Sequence, residues 1–235
     1  MTARSTLWRA ALKWPRLQRL ELLDVPALGI RYVNVPKTGT GTTRMQVYRQ
    51  LCDLAGETLP KSVLWEHTRW VKPADMPGLE RMFTFTFARN PYERLASLYR
   101  HKIAAPRNRG RRLSRLFAVY GRKFSLGMSF AEFVAAVASV PDHKAEKHFR
   151  SQTAFVFWEG NPLTDFLGRV EDFDAGWEYV CDHSKMEPIR RGYNRTSEQA
   201  PFDLTAWYDE ALLALVNQRY SADLELLGYE VVTSA

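Results

Sequence analysis

The 235-residue sequence is poor in cysteine, with Cys52 and Cys181 as its two thiols. Two cysteines cannot build a disulfide framework, and neither belongs to a C-x-x-C pair. This scarcity excludes a small secreted scaffold held together by several disulfides. Apolar residues flank both positions at helical spacing, which predicts buried free thiols and fits a reducing compartment.

Long hydrophobic runs are also missing from the sequence. No stretch approaches the roughly 20 apolar residues that a membrane-spanning helix needs. The N-terminal segment is basic and mildly amphipathic, but Pro15 interrupts it and it lacks the apolar run of a signal peptide. We therefore expect an N-terminal helical extension over residues 1–28 and a cytoplasmic location. A weak, peripheral association with a membrane surface is the alternative for this segment.

Acidic residues are outnumbered by basic ones. The chain has 33 Lys and Arg against 26 Asp and Glu, which gives a formal net charge of +7. This excess suggests an anionic small ligand or a polyanionic partner, without specifying which. The overall composition, with 46% hydrophobic and 25% charged residues, is that of an ordinary globular protein and argues against disorder or a fibrous class.

Strand-like and helix-like segments alternate along the chain. Residues 30–35 and 83–88 are apolar and rich in β-branched or aromatic side chains, as buried strands are. Each is followed by turn residues and then by helical periodicity, over 43–55 and from Pro91 onward. The alternation predicts a single α/β domain over 1–235, with three layers in which helices flank a mostly parallel central sheet.

Local signals predict further elements. Asn90 is a suitable N-cap for the helix that begins at Pro91, and Ser129 with Glu132 has the signature of a capping box. Short apolar runs predict strands or buried turns, and longer periodic runs predict helices. The runs that predict strands or turns are 153–158 and 164–170, and those that predict helices are 129–140, 172–183 and a C-terminal helix or helix pair before Gly228.

The segment PKTGTGTTR, residues 36–44, joins the first predicted strand to its helix. Its glycines let the backbone approach a ligand, and its N–H groups with the following helix N-terminus favour an anion such as phosphate or sulfate. Its lysine opens the motif, whereas the loop G-x-x-x-x-G-K-[ST] of nucleoside triphosphatases closes with one. A Gly/Thr turn with a solvated lysine is the alternative. The residues predicted to bind the anion are Lys37, Thr38, Gly39, Thr40, Gly41, Thr42 and Thr43.

A second strand–turn–helix unit, FTFTFARNPYERLASLY, predicts another anion site. Arg89 ends the strand and Ser97 follows eight residues later, about two turns or roughly 9 Å into the helix that begins at Pro91. An anion beside this helix can contact the guanidinium fork and the hydroxyl together. The alternative is that Arg89 pairs with Glu93 and that Ser97 is a small residue at a packing contact.

Together, PKTGTGT and RNPYERLAS strongly resemble sulfotransferases that use 3′-phosphoadenosine 5′-phosphosulfate (PAPS). The resemblance is to the branch of Golgi-type carbohydrate sulfotransferases and their bacterial relatives, and it covers roughly residues 30–229. The segments FLGRVEDF, HFRSQT and YNRTSEQ and a C-terminal helix ending in Asp-x-x-x-x-Gly-Tyr add to it. The resemblance implies that the Lys37 loop binds the 5′-phosphosulfate, that Arg89 and Ser97 bind the 3′-phosphate, and that no metal is required.

The resemblance also implies catalytic roles. Lys37 is expected near the oxygen that bridges phosphate and sulfur, where charge develops on the leaving group. In this branch a histidine in a His-x-Thr context is the presumed general base, and the candidate here is His67 in EHTRW, which Thr68 follows directly. Glu66 is an alternative base or could orient the ring. His148 in KHFRSQ is a further candidate because the resemblance places it near the acceptor.

The acceptor is expected to be a carbohydrate or glycolipid, and an anionic one would suit the charge of the chain. Residues 104–125 form a basic variable segment, and 104–123 contain no acidic residue. This segment either binds the acceptor or forms a solvated basic lid. Arg195 lies in the loop that relatives place near the nucleotide and is a weaker candidate for the 3′-phosphate. Nucleic-acid binding is not predicted, because no basic platform with interleaved aromatic residues is present.

Two other functions remain open at the level of sequence. A P-loop kinase is disfavoured by the missing terminal G-K-[ST] and by the lack of an obvious carboxylate for Mg²⁺ after a strand. A non-catalytic protein that binds PAPS and recognises a polyanion is the other alternative. A sulfotransferase in the cytoplasm of a bacterium is the prediction that the sequence favours.

Overall fold

The computed structural model of the chain describes residues 19–104, 120, 123–188 and 202–234. The predicted surface helix of residues 1–18, Arg195 and most of the basic segment 104–125 lie outside these ranges. What was predicted for them stays a prediction.

The chain divides into two compact units. The first unit contains Met1–Ala88 and Ala154–Gln199, and the second contains Arg89–Thr153 and Ala200–Ala235. The organisation as one domain over the whole chain stays a prediction.

The first unit is built on a β-sheet. The described strands are β1 (Leu20–Val25), β2 (Ile30–Val33), β3 (Thr68–Val71), β4 (Phe83–Ala88), β5 (Phe157–Trp158), β6 (Asn161–Pro162) and β7 (Phe166–Arg169). Five of them form a sheet in the order β3-β1-β2-β4-β7, while β5 and β6 pair with each other. β1 is antiparallel to both of its neighbours, and β4 is parallel to β2 and β7. Four of the five strands therefore run in one direction, which confirms a mostly parallel central sheet.

Helices flank this sheet and make up most of the second unit, which confirms the predicted α/β class. The described α-helices are α1 (Thr40–Ala55), α2 (Val63–Glu66), α3 (Pro91–Tyr99), α4 (Phe130–Ala138), α5 (Thr153–Val156), α6 (Phe173–Asp182), α7 (Glu210–Arg219) and α8 (Ser221–Leu226). Short 3₁₀ segments occur at Pro26–Leu28, Pro73–Gly78, Asp142–Lys144 and Val170–Asp172, and a π-helical turn occurs at Arg100–Ala104. None of the helices in the described ranges has the length and apolar character needed to cross a membrane.

One hydrophobic cluster of the first unit lies on one face of the sheet. Tyr32 of β2 and Phe85 of β4 are register partners, and their ring centroids are 5.4 Å apart. The helices α1 and α6 cover these rings with apolar side chains, among them Val47 and Trp177. Because side chains alternate along a strand, the aromatic residues of FTFTFA share this face and its threonines lie on the other. This alternation fixes the register of β4.

Phe87 fills its part of the core so closely that two neighbouring positions must be glycine. A Cβ on Gly168 of β7 would lie 2.6 Å from Phe87 Cε1, and a Cβ on Gly176 of α6 would lie 2.8 Å from the same atom. Neither glycine has a positive φ, so they are needed here for close packing and not for backbone freedom.

The second unit is mainly helical, and its core includes side chains of α3, α4, α7 and α8. The predicted caps are confirmed. The Asn90 side chain accepts a hydrogen bond from the Tyr92 N–H at 3.0 Å, with Pro91 at the first helical position. Ser129 and Glu132 form the reciprocal capping box. The predicted C-terminal helix pair is α7 with α8.

Three predictions from sequence need correction. The N-terminal helical extension over 1–28 is wrong for Leu20–Val25, which is the fully buried strand β1. Its leucines favour a helix weakly, but burial between two pairing strands overrides that propensity. The run 153–158 contains the helical turn α5 before the short strand β5. Cys52 and Cys181 are free as predicted, but each is half-buried and not fully buried.

Candidate active site

The loop between β2 and α1 has an unusual backbone. Lys37 has a φ of 73° and Gly39 a φ of 77°, so both lie in the left-handed region. Glycine adopts this conformation freely, whereas a lysine there is strained by an amount on the order of 1 kcal/mol or more. Strain that the surrounding structure maintains is typical of functional sites. The loop therefore presents Lys37 in a conformation that its own preferences would not select.

Helix α1 begins at this loop with an N-terminus that no side chain caps. Its N-cap is Gly39, and its first turn contains no acidic residue. The first N–H groups of a helix have no partner within the helix, and the helix dipole adds partial positive charge there. A Cβ on Gly41 in this first turn would meet no atom within 4 Å. The loop thus offers N–H donors, positive potential and open space to an anion.

Two threonine hydroxyls stabilise the loop itself. Thr38 Oγ1 donates to the Val35 carbonyl oxygen at 2.8 Å. Thr40 Oγ1 lies 2.8 Å from Asn34 Oδ1 and 3.1 Å from the same Val35 oxygen. These contacts hold the loop against the end of β2. The predicted direct contact of either hydroxyl with a bound sulfate stays a prediction.

A buried tyrosine hydroxyl lies beneath the threonines. Tyr32 donates to Thr40 Oγ1 at 3.3 Å. Burial raises the pKa of Tyr32 to about 12, against the smaller opposing effect of its hydrogen bond with the Thr40 hydroxyl. Tyr32 therefore stays protonated at neutral pH and supports the loop as a hydrogen-bond donor.

Thr43 provides a test of whether a phosphosulfate fits this loop. Its N–H makes the first helical hydrogen bond, to the Gly39 carbonyl oxygen at 3.0 Å. Its Oγ1 is buried and finds no hydrogen-bond partner in the described part of the chain. Buried hydroxyls are almost always paired. An unpaired one in the first turn of α1, beside an uncapped N-terminus, fits a group with several acceptor oxygens.

His67 is held in one orientation by β1. It follows α2 directly, and its backbone carbonyl accepts a hydrogen bond from the Asp24 N–H at 2.9 Å. Its ring Nδ1 lies 3.1 Å from the Asp24 carbonyl oxygen. A carbonyl oxygen can only accept, so Nδ1 carries the proton and Nε2 has the free lone pair. Glu66, which we considered for orienting this ring, is exposed; the orienting group is the backbone of Asp24.

Two exposed tryptophans flank His67 in the chain, and sequence reasoning missed them. Trp65 is 66% exposed and Trp70 is 45% exposed. The guanidinium carbon of Arg44 lies 5.3 Å from the centroid of the Trp65 ring. Arg44 also donates to Thr68 Oγ1 at 3.2 Å, which ties α1 to β3. The signal that could have identified them is the presence of two tryptophans within six residues of a candidate base, in the polar context SVLWEHTRWVKP.

In the second unit, Arg89 makes the pair that we considered as its structural alternative. Its Nη2 donates to Glu93 Oε2 at 3.1 Å, with the two side chains 16% and 23% exposed. This bond leaves other guanidinium donors, and Arg89 Nε is buried with no partner among the described residues. Ser97 is half-buried on α3, which begins two residues after Arg89. The pair with Glu93 therefore does not exhaust what Arg89 can bind.

The backbone of Arg89 is held by a residue that sequence reasoning did not assign. Gln152 Oε1 accepts a hydrogen bond from the Arg89 N–H at 2.9 Å, and Gln152 Nε2 donates to the Arg89 carbonyl oxygen at 2.8 Å. Gln152 is completely buried. The only sign in the sequence was its place in the HFRSQT segment.

His148, the further candidate base, has a carboxylate partner. Its Nδ1 lies 2.9 Å from both carboxylate oxygens of Glu146. Burial would raise the pKa of Glu146, but the hydrogen bonds and charge of His148 outweigh burial and lower that pKa. Because Glu146 accepts at Nδ1, the neutral form of the His148 ring has its lone pair on Nε2. Both histidines are thus arranged as bases, each within its own unit.

The described residues hold no group of three or more His, Cys, Asp or Glu side chains that could bind a metal ion. The fold is that of an α/β protein, and the backbone of the Lys37 loop suits a phosphate- or sulfate-bearing ligand. The chain belongs to the sulfotransferase family, whose family model matches residues 21–230. The match confirms the predicted class of enzyme, a sulfotransferase. Comparisons with curated proteins and with solved structures found no match.

Proposed function

We propose that this sulfotransferase takes its sulfuryl group from PAPS and transfers it to a hydroxyl of a carbohydrate or glycolipid acceptor. The observation that carries the proposal is the strained Lys37 in front of the uncapped helix α1. In the transfer, the acceptor oxygen bonds to sulfur, the bond from sulfur to the 5′-phosphate oxygen breaks with its electron pair on that oxygen, and the hydroxyl proton passes to a base. A cytoplasmic location in a bacterium belongs to the same proposal.

Lys37 has the catalytic role in this proposal. Its ammonium group stabilises the negative charge that grows on the leaving phosphate oxygen, and only interactions that strengthen toward the transition state accelerate the reaction. The N–H groups of the loop and of the first turn of α1 hold the phosphosulfate, together with the hydroxyls of Thr42 and Thr43. The unpaired, buried Thr43 Oγ1 supports this assignment.

Arg89 and Ser97 of the second unit bind the 3′-phosphate in this proposal. A guanidinium just before α3 and a hydroxyl on α3 suit a phosphate, because an arginine fork can donate two parallel hydrogen bonds. The buried, unpaired Nε of Arg89 is the observation that supports it. This second phosphate distinguishes PAPS from adenosine 5′-phosphosulfate. Arg195 stays the weaker candidate.

His67 is the proposed general base. Its Nδ1 is bound to the Asp24 carbonyl, so the tautomer that accepts a proton at Nε2 is already selected. His148 is the alternative base, supported by the Glu146 carboxylate that would stabilise its protonated ring. Glu66 is less favoured because its side chain is exposed to solvent.

The exposed tryptophans support a carbohydrate acceptor. One face of a sugar ring consists of C–H groups and packs well on an aromatic ring, which is why large exposed aromatic side chains suit such ligands. Trp65 offers most of its surface to solvent, and Arg44 stacks on it. Arginine at this position also suits an acceptor that carries negative charge. The basic segment 104–125 is a further proposed contact with such an acceptor.

Calorimetry with two nucleotides tests the donor. We expect 3′-phosphoadenosine 5′-phosphate (PAP) to bind tightly and ATP to bind at least about a hundredfold more weakly, since two well-placed charge-assisted hydrogen bonds are worth that factor. Tighter binding of ATP than of PAP would contradict the proposal and favour a kinase. Turnover of labelled PAPS with a panel of glycans then separates an enzyme from a protein that binds PAPS without reacting it.

A further inference from the structure

Arg89 lies between β4 and α3, and both its backbone N–H and its backbone carbonyl are fixed by hydrogen bonds. Its N–H and its carbonyl oxygen are both bound by the amide of Gln152, at 2.9 and 2.8 Å. The next residue, Asn90, caps the helix through the Tyr92 N–H. A backbone N–H is a donor and a carbonyl an acceptor, so only one orientation of the Gln152 amide satisfies both. The Gln152 amide therefore fixes the backbone position from which the Arg89 side chain extends.

Gln152 is itself fixed by a buried carboxylate. Asp223 of α8 is fully buried, and its Oδ2 accepts from the Gln152 N–H at 2.8 Å. Its Oδ1 accepts from the Thr153 N–H at 2.9 Å and from Thr153 Oγ1 at 3.0 Å. The Gln152 Nε2 also lies 3.5 Å from Oδ2, so four donors converge on two oxygens, and a group that can only accept is required at this position. A continuous series of hydrogen bonds therefore runs from α8 to the backbone of Arg89.

This arrangement is costly, which argues for a specific purpose. Burying a carboxylate removes its hydration, and burial raises the pKa of Asp223 against the opposing effects of the Arg94 charge and of its hydrogen bonds. A purely structural role would require only that each buried donor and acceptor has a hydrogen-bond partner, whichever residue supplies it. Here the series ends on both backbone groups of one residue, and that residue is the arginine with a buried, unpaired Nε.

We propose that Gln152 and Asp223 are positioning residues that aim the Arg89 guanidinium and thereby set the preference of the enzyme for nucleotides with a 3′-phosphate. The inference rests on the proposed function, in which Arg89 binds that phosphate. A one-ångström shift at the Arg89 backbone is enough to spoil a bidentate contact at the end of its long side chain. Contacts with the rest of the nucleotide do not depend on Gln152 in this proposal.

The test is a comparison of PAP with adenosine 5′-phosphate (AMP), which lacks the 3′-phosphate, by calorimetry on the full chain. The ratio of their dissociation constants measures recognition of that phosphate. The ratio in Arg89→Ala, which lacks the guanidinium, is the lower limit with which the other variants are compared. We expect Gln152→Met, which keeps the volume and removes both hydrogen bonds, to weaken PAP binding about tenfold or more and AMP binding less than about twofold. Asp223→Asn, whose NH₂ group would face N–H donors, should act in the same selective way.

A double variant adds a criterion that a structural role would not meet. Arg89→Ala with Gln152→Met should bind PAP as weakly as Arg89→Ala alone, because the two residues act through one contact. Ser151→Ala is the matched control. Its hydroxyl bonds to Asp142 in the same buried segment, and removing it should leave the ratio unchanged. If Gln152→Met does not fold, Gln152→Asn, which is too short to span both backbone groups, replaces it.

The outcomes separate the inference from the function on which it rests. A wild-type protein that binds PAP and AMP equally contradicts the assigned 3′-phosphate site. A wild-type preference for PAP that Gln152→Met, Gln152→Asn and Asp223→Asn all retain overturns the positioning role and leaves the site intact. Equal losses of PAP and AMP affinity, or additive losses in the double variant, overturn it as well.

Discussion

Asp24 and His67 hold each other at two points, since the Asp24 N–H donates to the His67 carbonyl oxygen at 2.9 Å and the His67 Nδ1 donates to the Asp24 carbonyl oxygen at 3.1 Å. The first contact continues the pairing of β1 with β3, which begins at the next residue, Thr68. The second uses the same backbone to select the tautomer of the ring. The backbone of β1 thus selects the tautomer of His67 that accepts a proton at Nε2.

This contact leads to a prediction about the base. His67→Gln should lower kcat by about a hundredfold or more, because a general base contributes a factor of about 10² to 10⁴. The KM for PAPS should change little. The measurement is turnover of labelled PAPS at saturating acceptor. His148→Gln is the paired variant, with an expected loss of less than about tenfold. A larger loss in His148→Gln than in His67→Gln would transfer the role to the His148–Glu146 pair.

The second prediction concerns the strained lysine. Lys37→Gly removes the cation and also removes the strain of a side chain at φ 73°. The free energy of unfolding should be unchanged or rise by up to about 1 kcal/mol, while kcat falls by about 10² to 10³. Lys37→Ala is the control, because it removes the same cation but keeps the strain. It should lose the same activity without the gain in stability. Denaturant unfolding and turnover of labelled PAPS measure the two effects.

Open space beside Gly41 gives the third prediction. A Cβ there meets no atom of the protein within 4 Å, so Gly41→Ala should leave the unfolding free energy unchanged or slightly higher. If the phosphosulfate occupies that space, the same methyl group should weaken PAP binding by about tenfold. Thermal melting and calorimetry check the two parts. Unchanged PAP affinity in Gly41→Ala would mean that the ligand does not approach this turn.

Gly176 has the opposite surroundings and gives the fourth prediction. Alanine in the interior of a helix is normally more stable than glycine by about 1 kcal/mol. In α6, however, the new Cβ would lie 2.8 Å from Phe87 Cε1 in the core. Overpacking of this kind costs about 1 to 3 kcal/mol, so Gly176→Ala should lower the free energy of unfolding in spite of the better helix propensity. A stabilised Gly176→Ala protein would show that Phe87 can move aside.

The exposed Trp65 gives the fifth prediction. Trp65→Ala should raise the KM for the acceptor about three- to tenfold, which corresponds to the loss of one stacking contact. PAP affinity and kcat at saturating acceptor should stay within about twofold. Leu54→Ala is the control, because Leu54 is 62% exposed and lies in the last turn of α1. An unchanged KM in Trp65→Ala, or an equal rise in Leu54→Ala, would remove Trp65 from the acceptor site.

Those parts of the fold with strong local signals could be predicted from the sequence. Alternation in FTFTFA gave β4, and Asn90 with Pro91 gave the start of α3. Leu20–Val25 could not be recognised as a strand, because LELLDV carries no alternation of apolar and polar residues once both faces are buried. Its burial depends on β2 and β3, which pair with it across the sheet.

In the candidate site, too, features with a local signal could be predicted from the sequence and features that depend on long-range contacts could not. The Lys37 loop was predictable because glycines and hydroxyls between a strand and a helix have a local meaning. The Gln152–Arg89 contact was not, because it joins residues 63 positions apart through a side chain that has no distinctive pattern. The tautomer of His67 depends on a backbone carbonyl of another strand, which no property of the residue itself reveals. Long-range pairing of this kind is visible only in the folded chain.

Transfer of labelled sulfuryl from PAPS to extracted glycans and glycolipids, compared between the wild-type protein and Lys37→Gly, is the most direct test of the account. The account predicts that the wild-type protein labels a glycan and releases PAP in equal amounts. Lys37→Gly should still fold and bind PAP, but its rate of labelling should be lower by at least about a hundredfold. A wild-type protein that binds PAP but labels no acceptor, or a Lys37→Gly variant that transfers at the wild-type rate, would contradict it.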